Sequence, residues 1–374
     1  MKFWSIVFLI GAAQAALLAL ALWRRPVNAQ ANRVLAVWIA VIGFDLAVKA
    51  IYFREPSADL FKLYRFVGLF PFLYGSAFYL YVRALTQGRA PGVRDGVHLL
   101  GFIAALGLHA KLFLMDPAQT QAFLDRIAAG GSWGSPWLDV ALYAYSLSYV
   151  FAGLVRVRRY RGELLQRRSD ADRMSLHWID AMALSQIVIW CIAVAQWQFR
   201  IPWIDYPLIY GAVVAWVFVI GYLSLSQVAV VVQVAEPGND APAETIPAAD
   251  DPRFAAVEAR LTQLMEGEHL YSEPALTIGQ LARRSGYPEY LVSAVINRRF
   301  AGNFWDYINR QRVEAARACL ADAADTRTIL DIAYACGFTS KSTFNAAFKR
   351  QLSVTPSAYR QAQAQASSVA DAGS

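Results

Sequence analysis

A chain of 374 residues that is 57% hydrophobic and only 17% charged carries more apolar side chain than a water-soluble fold of its size can bury, which excludes a purely soluble protein and assigns the excess to a bilayer. Three cysteines, Cys191 in an apolar run and Cys319 and Cys336 on helix-like segments, cannot build a disulfide framework and read as buried thiols in reducing surroundings. The net charge of +7 is unevenly spread; no Cys/His cluster has metal-binding spacing and no glycine-rich loop could cradle phosphate, so no metal or cofactor is expected.

Residues 1–234 break into seven apolar stretches, each near the ~20 residues that a spanning helix needs. They are Phe3 to Trp23, Val34 to Phe53, Phe66 to Val82, Val97 to Met115, Pro136 to Val155, Ala181 to Phe199 and Tyr206 to Val234. The first, third, sixth and seventh hold no charged residue, whereas the fourth holds His98, His109 and Lys111. The loops after the first, third and fifth stretches carry 13 arginines, from Arg24 to Arg173, against Lys2, Arg54, Lys62, Arg126 and Arg200 on the other side. The positive-inside rule then places the amino terminus outside and the carboxyl terminus in the cytoplasm. Ala13-Gln14-Ala15 also resembles a signal-peptide cleavage site. Cleavage there would leave six spans and put the arginine-rich loops outside.

Ionisable residues inside a bilayer are costly, so they are candidates for sensing. Asp45 and Lys49 stand i, i+4 on the second stretch and can neutralise each other on one helix face. Asp139, like Asp180 and Asp205, sits near a span end, where hydration is easy. The aromatic residues from Tyr64 to Tyr81 and from Trp197 to Tyr210 suit an interfacial belt and helix packing, with some free to line a pocket. From Ala235 to Pro252 the composition turns to proline, alanine and five acids without a base, which predicts a flexible tether.

Beyond the tether a pattern occurs twice. Ile278, Leu281, Ala282, Gly286 and Tyr287 recur 51 positions later as Ile329, Ile332, Ala333, Gly337 and Phe338; Val292 and Ile296 then match Phe344 and Phe348 after a slip of one. Each copy predicts a short helix with one apolar face, a glycine turn and a second helix, Pro288 to Arg299 and Ser340 to Arg350. That is the geometry which seats a second helix in the DNA major groove. Between the copies, Phe304, Tyr307, Ile308, Gln311, Ala315 and Ala318 keep helical spacing over Asn303 to Leu320. Such a helix spans roughly 27 Å, close to the ~34 Å between successive major-groove turns. Leu276 to Arg360 holds 12 lysines and arginines against 6 acids, the footprint of a phosphate-binding surface.

Ile332-Ala333, Gly337-Phe338, Ser340, Ser342, Phe344, Phe348-Lys349-Arg350, Thr355-Pro356-Ser357 and Tyr359-Arg360 together resemble the signature of AraC/XylS-type transcriptional regulators. Ser293, Ile296-Asn297, Asn303-Phe304, Tyr307-Ile308-Asn309, Arg312-Val313 and Ala316 resemble the variant found in membrane-anchored members. Ser353, where a glycine is usual, and Ala346, where an arginine is common, depart from it. The resemblance implies base-edge contacts from Glu289, Tyr290, Ser293 and Asn297 on the first reading helix and from Lys341, Ser342 and Asn345 on the second. Arg298, Arg299, Lys349 and Arg350 are expected to hold phosphates.

The expectation is an all-α protein: a seven-span bundle over residues 1–234, an acidic linker over 235–252, a domain of two helix-turn-helix units over 253–364 and a disordered tail over 365–374. It would sit in a bacterial inner membrane as a regulator, not an enzyme. Expected partners are double-stranded DNA, the lipid bilayer, an unidentified small-molecule or envelope signal, a second copy in a homodimer and, for an activator, RNA polymerase. The competing class is a membrane transporter or enzyme whose helical tail binds protein rather than DNA. Against it stand the lack of paired broken spans and of any catalytic cluster.

Overall fold

Apolar runs without proline or charge form uninterrupted helices in the computed structural model, which describes residues 2–55, 57–129, 136–171, 176–199, 206–225 and 251–372. Five helices are long and apolar enough to cross a membrane: Phe3–Arg24, Ala29–Arg54, Trp137–Arg167, His177–Gln196 and Pro207–Ser224. They lie within α1 (Lys2–Arg24), α2 (Ala29–Arg54), α8 (Pro136–Arg167), α9 (His177–Phe199) and α10 (Tyr206–Leu225). Regular structure among the described residues is helical, apart from one isolated bridge between Arg168 and Thr277.

The third and fourth predicted stretches differ from expectation. The third is divided between α3 (Ala58–Val67) and α4 (Pro71–Gln87), because Pro71 at the first turn of α4 has no N–H to continue the ladder from α3. The fourth becomes a 3-10 turn (Val93–Leu99), α5 (Leu100–Leu108) and α6 (Ala110–Phe113), parted at His109, whose ψ of 3° leaves the helical well. An unforeseen helix follows, α7 (Pro117–Ala128), capped by Asp116, whose carboxylate accepts the Gln119 N–H at 2.8 Å. The fifth stretch continues past Val155 to Arg167, since its arginines are good helix formers. The end of the seventh stretch and all of the tether except Asp251 and Pro252 lie outside the described residues.

Two units emerge, Met1–Arg158 with Leu176–Ala235 and Arg159–Ser175 with Glu236–Ser374, so the residues just after Arg158 group with the carboxyl-terminal domain rather than with the apolar helices. In the first unit, small residues let backbones approach. A Cβ on Gly43 of α2 would stand 2.9 Å from Ala15 Cβ of α1, and one on Gly75 of α4 only 2.7 Å from the Ser146 carbonyl oxygen of α8. Trp38 and Trp216 meet at 5.1 Å between ring centroids. Cys191 faces outward from α9, contrary to the expectation that all three thiols are buried. On an apolar helix that can face lipid, an outward position needs no polar side chain, so composition does not separate the two faces.

The second unit has two small cores joined by one helix. Phe254, Val257, Leu261 and Leu264 of α11 (Phe254–Glu266) pack with Leu281 of α12 (Ile278–Ser285), Val292 and Ile296 of α13 (Glu289–Arg299), and Phe304, Tyr307 and Ile308 of α14 (Phe304–Ala321). The other half of α14 supplies Val313, Ala316 and Leu320 to a core with Ile332 of α15 (Ile329–Ala335) and Phe344 and Phe348 of α16 (Lys341–Leu352). Tyr359 of α17 (Pro356–Ala372) packs against that second core. α17 runs past residue 364, where the sequence places the end of the domain. Each fully buried Leu, Ile or Phe is worth ~1.5–3 kcal/mol, so both cores draw on α14. Its buried face also differs from expectation: Val313, Ala316 and Leu320 are covered, while Ala318 is exposed.

Candidate nucleic-acid interface

Side-chain caps begin the first helix of each pair, the connecting helix α14 and the second reading helix α16. Thr277 accepts the Gln280 N–H at 3.2 Å to begin α12, and Thr328 accepts the Asp331 N–H at 3.1 Å to begin α15. Asn303 caps α14 through the Asp306 N–H at 2.9 Å, and Ser340 caps α16 through the Thr343 N–H at 3.1 Å. Gly286 and Gly337 take φ of +78° and +88° between the helices of each pair, a left-handed conformation that favours glycine. Beyond α16, Ser353 adopts φ +60° and donates its N–H to the Lys349 carbonyl at 2.8 Å, so serine makes the turn for which glycine is usual.

On α16 the apolar side chains Phe344, Ala347 and Phe348 turn inward, leaving Lys341, Ser342, Asn345 and Lys349 on one exposed face. Asn345 makes no side-chain hydrogen bond among the described residues. On α13, Glu289 and Asn297 are exposed and Ser293 lies between them, with Asn297 Nδ2 donating to Ser293 Oγ at 3.4 Å. Tyr290 is placed otherwise: it packs against the first core and its hydroxyl accepts from Arg253 at 3.3 Å.

The charge count does not translate directly into free positive charge. Arg284 pairs with Glu273, Arg317 with Glu314 and Arg327 with Asp325, and the Arg327 guanidinium holds the Asp325 carboxyl down at about 2. Arg283, Arg299, Lys341 and Lys349 are exposed and form no ion pair among the described residues. Of the four expected phosphate contacts, Arg299 and Lys349 are therefore open to an anion. Arg298 stands 5.6 Å from the Phe254 ring centroid. Arg350 donates to Asp306 at 3.1 Å and lies 4.4 Å above the Trp305 ring, so a phosphate would share its guanidinium with that carboxylate.

Sequence reasoning missed the role of Arg312, a guanidinium with only 1% exposure on the apolar side of α14. Its Nε donates to the Tyr271 carbonyl at 2.8 Å, and Nη2 donates to the Glu273 carbonyl at 2.9 Å and to Ser169 Oγ at 3.1 Å. Burial pulls its pKa down to about 10. The Ser169 N–H also donates to the Leu276 carbonyl at 3.0 Å, so the chain that follows α8 is held against the start of α12. A clue lay in the spacing: Arg312 falls four residues after Ile308 and four before Ala316, in the middle of an apolar stripe. Burial likewise pushes the Cys336 thiol up to about 12, which keeps it protonated and inert.

The ionisable residues singled out in the apolar stretches lie in the first unit. Asp45 and Lys49 form a buried ion pair on α2, Tyr74 donates its hydroxyl to Asp45 at 3.2 Å, and the Lys49 ammonium sits 4.0 Å from the Tyr210 ring centroid. Lys49 and Asp139 both line one cavity of about 460 Å³.

Short helices joined at a left-handed glycine, the second turning a polar and basic face outward, define a helix-turn-helix DNA-binding domain. A helix-turn-helix domain profile matches residues 281–362. The regulatory protein SoxS of Escherichia coli K12 is 33% identical over 93 residues, which cover 25% of this chain and 83% of the relative. SoxS of Salmonella typhimurium is 31% identical over 93 residues, with the same coverage of 25% and 83%. The probable transcription factor PqrA of Proteus vulgaris is 28% identical over 100 residues, covering 27% of this chain and 75% of PqrA. The chain belongs, through this carboxyl-terminal domain, to the AraC-type family of helix-turn-helix proteins. No solved structure gives a significant match.

Proposed function

We propose that the protein is a membrane-anchored transcriptional regulator that reads DNA with two helix-turn-helix units and couples this reading to a signal at the inner membrane. The observation that carries it is the exposed face of α16, where Lys341, Ser342, Asn345 and Lys349 stand away from the Phe344 and Phe348 core within the region matched by the helix-turn-helix profile. Glu289, Ser293 and Asn297 on α13 form the second reading face, and Arg299 and Lys349 hold phosphates, with Arg298 and Arg350 beside them. Tyr290 contributes its exposed edge. The five long apolar helices support the anchor. In this reading the α3–α4 and α5–α6 segments complete seven crossings, with the amino terminus outside and the DNA-binding domain in the cytoplasm. An activator of this kind would contact RNA polymerase, and pairing of two copies would double the operator.

The test of DNA binding uses a soluble fragment from Asp251 onward and duplexes from the regions that the full-length protein occupies in cells. Its affinity should fall steeply as salt rises, because lysines and arginines displace counterions. Absence of binding to any duplex, or binding indifferent to salt, would favour a protein-binding tail. For topology, a reporter fused after Val234 should behave as cytoplasmic and one at Gly130 as external. A cytoplasmic signal from the Gly130 fusion would overturn the seven-crossing arrangement.

A further inference from the structure

The cavity in the first unit is lined by groups of two kinds. Trp38, Trp190 and Trp216 stand in its wall. Arg65 of α3 and His109, at the break between α5 and α6, also line it, with 3.5 Å between Arg65 Nη2 and His109 Nε2. His109 Nδ1 lies 2.9 Å from the Ala105 carbonyl, an acceptor only, so Nδ1 donates there and Nε2 is the nitrogen turned to Arg65. Among the described residues the Arg65 guanidinium thus meets an imidazole rather than a carboxylate. Its Nε is buried and has no hydrogen-bond partner among the described residues. Lys49, which also lines the cavity, is already neutralised by Asp45.

A second unmatched group lines the same space. Gln186 of α9 is only 7% exposed and lines the cavity, and its Oε1 has no partner among the described residues. Buried polar groups are ordinarily satisfied, and one cationic donor and one amide acceptor left unmatched among the residues that line a single cavity describe a place for a ligand, while Asp139, the carboxylate in the same lining, is itself engaged. A volume of about 460 Å³ admits roughly 15 non-hydrogen atoms at ~30 Å³ each.

We propose that this cavity binds a small amphipathic acid, its anionic head on Arg65, its apolar body against the tryptophans, and a hydroxyl or amide donor on Gln186 Oε1. The inference rests on the reading of residues 1–234 as a membrane sensor and names the class of molecule that it senses. The acid reaches the site as a diffusible molecule or as the head of a bilayer lipid, and both present the same chemistry to Arg65.

The experiment uses full-length protein in phosphatidylcholine nanodiscs, with ω-bromodecanoate as a quencher of tryptophan fluorescence and ω-bromodecanol as its uncharged counterpart. Saturable quenching by the acid is expected, with the alcohol about tenfold weaker, the scale of one hydrogen bond to a charged group. Arg65→Gln should weaken the acid by a similar factor, and Arg65→Lys, which keeps the charge, should bring most of it back and so rule out misfolding as the cause. In competition, β-hydroxydecanoate should displace the probe better than decanoate, and Gln186→Leu should abolish that advantage. Loss of the probe on adding phosphatidylglycerol to the discs would identify a lipid as the source of the acid; retention would identify a diffusible one. Quenching that stays linear with partitioned probe, that is equal for acid and alcohol, or that is the same in Arg65→Gln overturns the proposal. If the acid binds with the expected profile but occupancy of the protein's DNA sites in cells does not change, the cavity assignment stands and the sensory reading fails.

Discussion

Gly286 and Gly337 occupy equivalent positions in the repeat, and replacing each with alanine should have unequal consequences. Both take positive φ, so both alanines bear the left-handed penalty of ~1–2 kcal/mol. At Gly286 nothing lies within 4 Å of the added Cβ, and the penalty should end there. At Gly337 the Cβ would stand 2.6 Å from the Tyr271 carbonyl oxygen and 2.7 Å from that of Ser272, both backbone atoms that no side-chain rotation can clear. Overpacking of this kind adds ~1–3 kcal/mol. The Tyr271 carbonyl is also the acceptor for Arg312 Nε, so pushing it aside disturbs a buried charge. The expected losses are ~1–2 kcal/mol for Gly286→Ala and ~2–5 kcal/mol for Gly337→Ala, the latter a large share of a typical domain's ~5–15 kcal/mol. Urea unfolding of the fragment from Asp251 onward, followed by circular dichroism, measures both. Equal losses, or a larger loss at Gly286, would refute the argument that the glycines differ by what lies above them.

Asn345→Ala should relax discrimination at one base pair by ~1–3 kcal/mol, because an asparagine amide suits the adenine edge; a binding-site selection that returns an unchanged preferred site from a normally folded variant would remove Asn345 from the base readers. Arg350→Ala should weaken all sequences alike and lower the salt slope by about one ion, whereas an unchanged slope would mean that Asp306 and Trp305 keep its guanidinium occupied. Ser353→Gly should stabilise the domain by ~0.5–1 kcal/mol by relieving the left-handed strain at φ +60°. A fall in the melting temperature of this variant would show that the serine side chain contributes more than its backbone angle costs.

What could be read from the chain alone was set by neighbours within a turn or two. The second helices and α14 follow from the spacing of their apolar residues, and the observed ends at Asn303 and Ser340 fall where the sequence places them. The same local logic explains the failures. The third apolar stretch looked continuous because hydropathy averages over Gly68 and Pro71, although one proline is enough to part α3 from α4. Cys191 read as buried because an apolar helix that can face lipid has no polar side to mark its outer face.

The sequence by itself determined that the protein is helical, rich in apolar stretches near spanning length, and carries a repeated helix-glycine-helix pattern, because periodicity and composition act between residues close in the chain. Only the tertiary structure decided what covers each face. Period shows that Arg312 lies on the apolar side of α14, but its burial depends on carbonyls at Tyr271 and Glu273 and a hydroxyl at Ser169, all far away in sequence. The repeat makes Gly286 and Gly337 equivalent, and only the backbone at Tyr271 and Ser272 separates them. Arg65, His109 and Gln186 come from three distant segments, so no local pattern could bring them to one cavity; that required the packing of the helices that carry them.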